Sequence, residues 1–267
     1  MNLLKNILVL PFLLFAIFVL SSLKPEHKQQ KFKLKKVVLD AGHGGKDPGC
    51  VGKTYKEAEI ALKVVLELGK LIKEQHPDVE VIYTRKENKF VELGERANIA
   101  NKSNADLFIS IHCNASPNTG VRGTETYFMG MHKTDDNLDV AKRENAVVMQ
   151  EENYLDKYDG FDPSSPISHI LFANYQNAFL SNSLHFAEKV EKRMSEKTGL
   201  KSRGVRQAGF LVLWKTTMPS TLVEIGYLSN LEEEKFLGKA ENQLKIAEGI
   251  ANAFTDYKES LEKRMED

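Results

Sequence analysis

The stretch Val37-Val38-Leu39-Asp40-Ala41-Gly42-His43-Gly44-Gly45 decides the fold. A short apolar, β-branched run that ends at glycines is typical of a buried strand that delivers a polar residue at its carboxyl end. In open α/β sheets, ligands bind at that end of the strands. The glycines allow a positive φ and let another group approach His43 closely. A single histidine is more often a packed or surface residue than a ligand, so its role depends on what lies beside it.

Apolar periodicity downstream predicts alternating helices and strands. Residues 57–75 carry a helical apolar stripe, residues 79–83 alternate as a second strand, residues 91–101 favour a second helix, and residues 105–111 a third strand. This order predicts right-handed crossovers and a largely parallel sheet that is covered on both faces. We therefore expect an α/β fold, a single three-layer α/β/α domain with a mainly parallel twisted sheet flanked by helices.

The second half of the chain is predicted to complete this sheet. We expect a fourth strand at 124–129, a helix at 136–152, a loop at 154–166, a long helix at 168–197, a buried strand at 219–226 and closing helices at 232–237 and 240–262. Glu224 interrupts the strand at 219–226. A carboxylate on a buried strand is costly unless it has a partner or a task.

The N-terminus differs in kind from the rest of the chain. An apolar run of about 14 residues, 7–20, is short for a membrane span and fits the apolar region of a signal peptide. Ser21 and Ser22 offer small residues for cleavage, and an uncleaved anchor is the alternative. A basic, polar spacer follows at 23–35. We expect residues 1–22 to be a signal peptide or an N-terminal anchor, and the chain to be exported to the periplasm or cell envelope.

The charge balance excludes one class of partner. The 267 residues hold 37 Lys and Arg against 37 Asp and Glu, a formal net charge of zero. This balance argues against a nucleic-acid-binding protein, which needs a basic face. We expect a monomer that contacts a membrane only through its N-terminal segment, if that segment is retained.

Histidines follow the first and third predicted strands, His43 and His112. Because the carboxyl ends of parallel strands lie at one edge of a sheet, these imidazoles should meet there. Two imidazoles and a carboxylate make a three-ligand catalytic zinc site with an open position. The carboxylate should come from the start of the first helix, where Glu57 and Glu59 lie on different faces. Hydrolysis also needs a base within hydrogen-bond reach of the water, and Glu224 is the candidate.

Four motifs, in order along the chain, resemble a known family. The motifs are Leu39-Asp40-Ala41-Gly42-His43-Gly44-Gly45-Lys46-Asp47-Pro48-Gly49, Thr84-Arg85 with Leu93 and Arg96, Ser110-Ile111-His112-Cys113-Asn114-Ala115, and Met218-Pro219-Ser220-Thr221-Leu222-Val223-Glu224-Ile225-Gly226. They are similar to the zinc-dependent N-acetylmuramoyl-L-alanine amidases of bacterial cell walls. The similarity runs from about residue 36 to residue 257.

The resemblance implies a catalytic domain at 36–262 that holds one Zn²⁺. It also implies hydrolysis, by zinc-activated water, of the amide between the lactyl group of N-acetylmuramic acid and L-alanine of the peptidoglycan stem peptide. By motif position, His43, Glu57 and His112 match the zinc ligands and Glu224 the catalytic glutamate. The role implied is cell-wall remodelling or daughter-cell separation. The alternatives are a zinc peptidase or deacetylase of related chemistry, and a wall-binding homologue without turnover.

Residues 141–167 resemble a segment that, in cell-division members of this family, blocks the site until an activator protein binds. The resemblance therefore implies a regulatory insertion and an activator among the partners. An acidic run in this segment could supply a carboxylate to the open zinc position. The run comprises Glu151, Glu152, Asp156, Asp159 and Asp162. The alternative is a solvated acidic loop.

The only two cysteines of the chain, Cys50 and Cys113, border the predicted site. In an exported protein such a pair can form a disulfide, which here would tie two metal-binding loops together. The alternative is a pair of small, buried apolar residues.

Overall fold

The stretch around His43 leads out of the first strand of a central sheet. The computed structural model describes residues 32–173 and 178–264. Within these ranges one six-stranded sheet forms. Its strands are β1 (Lys36–Ala41), β2 (Glu80–Tyr83), β3 (Leu107–Asn114), β4 (Thr124–Met129), β5 (Ser202–Ala208) and β6 (Ser220–Tyr227).

Helices connect and cover these strands. The α-helices are α1 (Glu57–Gln75), α2 (Leu93–Lys102), α3 (Asp135–Asn145), α4 (Tyr154–Lys157), α5 (Pro166–Ala173), α6 (Leu180–Thr198), α7 (Leu211–Trp214), α8 (Leu231–Leu237) and α9 (Ala240–Arg264). A 3-10 helix, Ala146–Gln150, continues α3. The bounds of α1 match the prediction, because its apolar stripe is unbroken as far as the His76-Pro77 stop.

The strand order is β2-β1-β3-β6-β4-β5. Strands β1, β2, β3 and β6 are parallel to one another, and β4 pairs with β5 in parallel. The pairing of β4 with β6 is antiparallel. The sheet is therefore mainly parallel, as predicted.

Helices cover both faces of the sheet. Helices α1, α6 and α9 pack together against one face. The opposite face is covered by α2, α3, α7 and the chain as far as Phe161, around a core that includes Val38, Phe108, Tyr127 and Leu222. These layers confirm the predicted three-layer α/β/α domain.

The structure differs from the predictions for the second half in four places, one of which is α4, inside the predicted loop at 154–166. The predicted helix at 168–197 is two helices, α5 and α6, and Ile167 and Leu171 of α5 are 69% and 66% exposed. The predicted helix at 136–152 is α-helical only to Asn145. Strand β5 was not predicted, because its half-exposed residues do not alternate between apolar and polar.

The predicted signal peptide or anchor, and most of the spacer at 23–35, lie outside the described residues. Residues 33–267 form one unit of the chain. Among the residues that the structure describes, no helix is both long and apolar enough to cross a bilayer.

Candidate metal centre and active site

A row of polar side chains crosses three neighbouring strands of the sheet. His112 on β3 is in register with Glu224 on β6, and Glu224 is in register with Glu125 on β4. Directly paired residues project from the same face of a sheet and have neighbouring Cβ atoms. Strand pairing alone therefore places these three side chains next to one another.

Four buried side chains meet beside His112. They are His43, Glu57, His112 and Glu144, and one ligand atom of each lies within 4.8 Å of the others. His43 Nε2 lies 3.0 Å from Glu57 Oε1 and 3.1 Å from Glu144 Oε2. His112 Nδ1 lies 3.0 Å and 2.9 Å from the same two oxygen atoms. The sequence-predicted ligands are thus brought together, with Glu144 as a fourth member.

The loop after β1 aims His43 into this group. His43 has a left-handed backbone, with φ 59°. Its Nδ1 lies 2.7 Å from Asp47 Oδ2, which leaves Nε2 to face the other members of the group. A Cβ on Gly42 would lie 2.4–2.7 Å from atoms of the His112 ring, so only glycine allows this approach. Metal-binding histidines commonly use the second ring nitrogen in this way.

Glu57, the first residue of α1, is held by backbone donors on both oxygen atoms. Its Oε1 accepts the N–H of Cys113 at 2.9 Å, and its Oε2 accepts the N–H of Cys50 at 2.8 Å. Glu59, the alternative, is exposed. The structure therefore places Glu57, and not Glu59, in the group.

Buried charges in this group shift each other's pKa. Burial alone would lower the pKa of both histidines, but Glu57 and Glu144 outweigh it and raise the pKa of His112 to about 9 and that of His43 well above its usual value. Burial would raise the pKa of Glu57, yet the charge of His43 and the hydrogen bonds lower it to about 2. Two carboxylates and two imidazoles at this spacing suit a divalent cation, which takes the place of the protons.

Two atoms of the group support this interpretation. His43 Nε2 and Glu144 Oε2 are buried, and their contacts with the rest of the group, at 2.9–3.1 Å, do not have hydrogen-bond geometry. A buried polar atom without a partner costs free energy unless a ligand satisfies it. The nitrogen and oxygen donors therefore fit a zinc-type ion.

Glu224 is fully buried, and neither carboxylate oxygen has a hydrogen-bond partner in the described part of the chain. Burial and the charge of Glu144 raise its pKa well above the usual value. A carboxyl group with a raised pKa beside a metal site suits a general base that later acts as an acid.

Comparison with known proteins gives the family. The sequence profile of the N-acetylmuramoyl-L-alanine amidases matches residues 37–256. The chain belongs to this family. AmiA of Escherichia coli K12 is 32% identical over 88% of this chain and 79% of AmiA. AmiC of E. coli O6:H1 is 34% identical over 83% of this chain, which spans about half of that protein, 52%.

Solved structures of the same family share the fold. The catalytic domain of CwlV from Bacillus (Paenibacillus) polymyxa is 33% identical, with a TM-score of 0.59 over 84% of this chain and 97% of that domain. AmiC2 of Nostoc punctiforme is 30% identical, with a TM-score of 0.61 over 84% of this chain and 96% of its own. These matches confirm the resemblance read from the four motifs.

One expectation about this amidase was wrong. None of the five acidic residues of the predicted run belongs to the group of His43, Glu57, His112 and Glu144. Glu151 accepts the N–H of Leu93 at 2.9 Å and the hydroxyl of Tyr158 at 2.8 Å. The other four are exposed. The segment at 141–167 instead contributes Glu144, on α3, to the group.

The two cysteines of the amidase are close to each other but free. The Sγ of Cys50 donates to the carbonyl oxygen of Cys113 at 2.9 Å. The hypothesised disulfide is therefore not formed in this structure.

Two buried arginines fix the framework of this amidase site. Arg85 donates to the carbonyl oxygens of Ala41, Gly42 and Ala58 at 2.6–2.8 Å. Arg96 pairs with Asp40 at 2.8 Å and donates to the carbonyl oxygen of His43 at 2.9 Å. Both side chains therefore hold the His43 loop against the sheet edge.

Proposed function

We propose that this chain is a zinc-dependent N-acetylmuramoyl-L-alanine amidase that cleaves the amide between the muramic lactyl group and L-alanine of the stem peptide. The observation that supports it is the juxtaposition of the buried group His43, Glu57 and His112 with Glu224, whose oxygens have no hydrogen-bond partner among the described residues. A peptidase or deacetylase of related chemistry is the second candidate, because the same donor set would serve either.

His43, Glu57 and His112 would hold the Zn²⁺. When bound, the ion supplies a Lewis acid that makes water nucleophilic near neutral pH and stabilises negative charge on the carbonyl oxygen. The chain holds its ligands ready: Asp47 orients the His43 ring, and the N–H groups of Cys50 and Cys113 fix both oxygens of Glu57.

Glu224 would move the proton. Its carboxylate takes a proton from the attacking water and then gives it to the departing alanine nitrogen. Burial and the charge of Glu144 raise the pKa of Glu224, so its carboxylate is a stronger proton acceptor than a solvated glutamate.

Glu144 would occupy the position that substrate needs. Its Oε2 lies 2.9–3.1 Å from both histidines, so it competes for the open coordination position. We infer that α3 blocks the site and that an activator protein displaces it, as the resemblance implies. The site would then act in the periplasm or cell envelope, where the N-terminal apolar run would direct the chain.

The test is digestion of purified peptidoglycan by the full chain and by its Glu144→Gln variant, followed by mass analysis of the products. We expect intact stem peptides with a free alanine amino group. Their release should stop with a chelator and return with zinc. Cleaved peptides would favour a peptidase, and released acetate a deacetylase.

Glu224→Gln gives the decisive variant. We expect zinc to stay bound while turnover falls by about 10²- to 10⁴-fold, the usual contribution of a positioned acid–base group. Glu59→Gln is the matched control, because Glu59 is exposed outside the group. Wild-type turnover in Glu224→Gln would show that the assigned role is wrong. No release by either the full chain or Glu144→Gln would indicate a wall-binding homologue without turnover.

A further inference from the structure

A cavity of about 530 Å³ lies alongside the row that contains Glu224. Its lining includes Asn114, Glu125, Arg143, Arg203 and Tyr227. It adjoins the proposed active site through Arg143, whose Nη2 lies 2.9 Å from Asn114 Oδ1 and 3.5 Å from Glu224 Oε1. A substrate chain that leaves the proposed active site along β6 and β4 would enter this cavity.

One wall of the cavity is built around the buried carboxylate of Glu125. Five side chains converge on its two oxygen atoms at 2.6–3.2 Å, and they are Asn114, Tyr127, Arg203, Arg206 and Tyr227. Two guanidinium groups thus share one carboxylate. Arg203, Arg206 and Glu125 therefore carry a net charge of +1 together.

Arg203 lines the cavity and is only partly buried, whereas its Nε is fixed by Glu125 at 2.6 Å. Its Cζ also lies 5.6 Å from the centre of the Tyr227 ring, so Glu125 and Tyr227 together orient the guanidinium group. Arg206 pairs with the same carboxylate and adds a second positive charge next to Arg203. Its buried Nε has no hydrogen-bond partner among the described residues. A guanidinium group held in this way is suited to bidentate binding of a carboxylate.

The facing wall belongs to α3, the helix that carries Glu144. Asp136 and Asp139 line the cavity from α3, and Asn137 Oδ1 accepts from Arg206 Nη1 at 2.9 Å. In this structure the oxygen-rich face of α3 therefore lies opposite the arginines. If α3 leaves when substrate enters, Arg206 loses the Asn137 acceptor and the two aspartates no longer face the arginines.

We propose that Arg203, oriented by Glu125 and supported by Arg206, binds a carboxylate of the stem peptide on the residue that follows the cleaved alanine. This inference rests on the proposed function. Strands β6, β4 and β5 are neighbours at about 4.8 Å each, so the Arg203 backbone lies about 10 Å from that of Glu224. A peptide residue spans at most about 3.5 Å. The arginine side chain covers the remaining distance.

The test compares two substrates that differ in one group. The γ-methylamide of N-acetylmuramoyl-L-alanyl-D-glutamic acid carries the α-carboxylate as its only carboxylate, and the matching α-carboxamide carries none. With zinc-loaded Glu144→Gln protein we expect about a tenfold higher kcat/KM for the acid, through a lower KM. Equal kcat/KM for the two substrates would overturn the proposal.

Variants of Arg203 assign the preference. Arg203→Gln should raise KM for the acid about tenfold and so remove most of the difference between the two substrates. Arg203→Lys should keep part of the preference, because lysine retains the positive charge but cannot bind a carboxylate through two parallel N–H groups. Arg206 still pairs with Glu125 in both variants, which protects the fold. Arg193→Gln, on α6 at the opposite face and paired with Asp256, is the matched charge control. An unchanged preference in Arg203→Gln would overturn the proposal.

Calorimetric binding separates this proposal from the proposed function. The γ-methylamide of the dipeptide L-alanyl-D-glutamic acid and the matching α-carboxamide are titrated into zinc-loaded Glu144→Gln/Glu224→Gln protein. We expect the acid to bind about tenfold more tightly and Arg203→Gln to abolish the difference. If this binding preference is found but the Glu144→Gln protein, which keeps Glu224, hydrolyses no substrate, the subsite is retained and the amidase is rejected. If the Glu144→Gln protein hydrolyses the substrates but the two dipeptides bind equally, the amidase is retained and the subsite is rejected.

Discussion

The Nη2 atom of Arg143 lies 3.5 Å from Oε1 of Glu224. The next residue, Glu144, lies 2.9 Å from Nδ1 of His112. Two consecutive residues of α3 therefore contact both halves of the proposed catalytic machinery, the base and the metal-type group. In the blocked arrangement that we propose, α3 thus covers both halves at once.

Removing the charge of Glu144 should raise activity. In Glu144→Gln we expect turnover of peptidoglycan to rise about tenfold, which corresponds to ~1.4 kcal/mol of lost blocking interaction. Release of dye from labelled peptidoglycan measures it. Glu152→Gln, an exposed carboxylate of the same segment, should leave turnover unchanged. If zinc affinity and turnover both fall in Glu144→Gln, Glu144 is a required ligand and not a block.

Removing the metal should lower thermal stability. With free zinc at 1,000 times its dissociation constant, binding contributes about 4 kcal/mol, and each kcal/mol shifts Tm by about 2–4 °C in a domain of this size. We therefore expect a chelator to lower Tm by roughly 8–16 °C, measured by scanning calorimetry. His112→Ala should no longer respond to zinc, whereas His76→Ala, at the end of α1, should respond normally. A full zinc response in His112→Ala would contradict the ligand assignment.

Asp40→Asn should destabilise the fold in a pH-dependent way. Burial would raise the pKa of Asp40, but Arg96, Ser110 and Thr84 outweigh it and lower the pKa below 3.8. A lowered folded pKa adds stability above the unfolded pKa, and this stability is lost as pH falls through the folded value. We expect Asp40→Asn to lower the free energy of unfolding by about 3 kcal/mol at pH 7.

Denaturant unfolding in chelator measures this effect at pH 7 and pH 3. The difference between wild type and Asp40→Asn should be smaller at pH 3. Asp256→Asn, which removes a partly exposed ion pair with Arg193, should cost at most about 1 kcal/mol at pH 7. A difference for Asp40→Asn that is constant across the two pH values would refute the charge-based explanation.

Gly42→Ala should disrupt the metal centre more than the fold. An added Cβ would lie 2.4 Å from Cε1 of His112, so one imidazole must move. We expect zinc affinity to fall by at least about tenfold, the lower range for disturbed ligand orientation. Competition with a zinc-binding dye measures it. Gly120→Ala, where the nearest atom is 3.2 Å from the added Cβ, is the control and should bind zinc normally.

The first half of the chain could be predicted from the sequence because its signals are local. Strand β1 ends in glycines, and α1 has an unbroken apolar stripe between two clear boundaries. The positions of His43 and His112 follow from parallel pairing, which brings strand ends to one edge.

The second half could not be predicted to the same degree, because tertiary context decides it. Strand β5 is an edge strand whose half-exposed Arg203 and Arg206 give no alternation. Glu144 is a charged residue of α3 whose side chain points inwards to the two histidines. The acidic residues around it in sequence are mostly exposed, so the sequence does not distinguish Glu144 from them. Its partners come from the loop after β1, from α1 and from β3, up to 101 residues away in sequence.

The antiparallel direction of β4 has a consequence for how this protein can diversify. Because β4 runs against β6, its amino end lies at the same sheet edge as the carboxyl end of β3, and residues 115–123 connect the two there. The three ligands predicted from sequence all precede this connection. Lengthening it would cost little in loop-closure entropy. New substrate preferences could thus evolve by insertion at 115–123 while the ligand geometry is inherited unchanged.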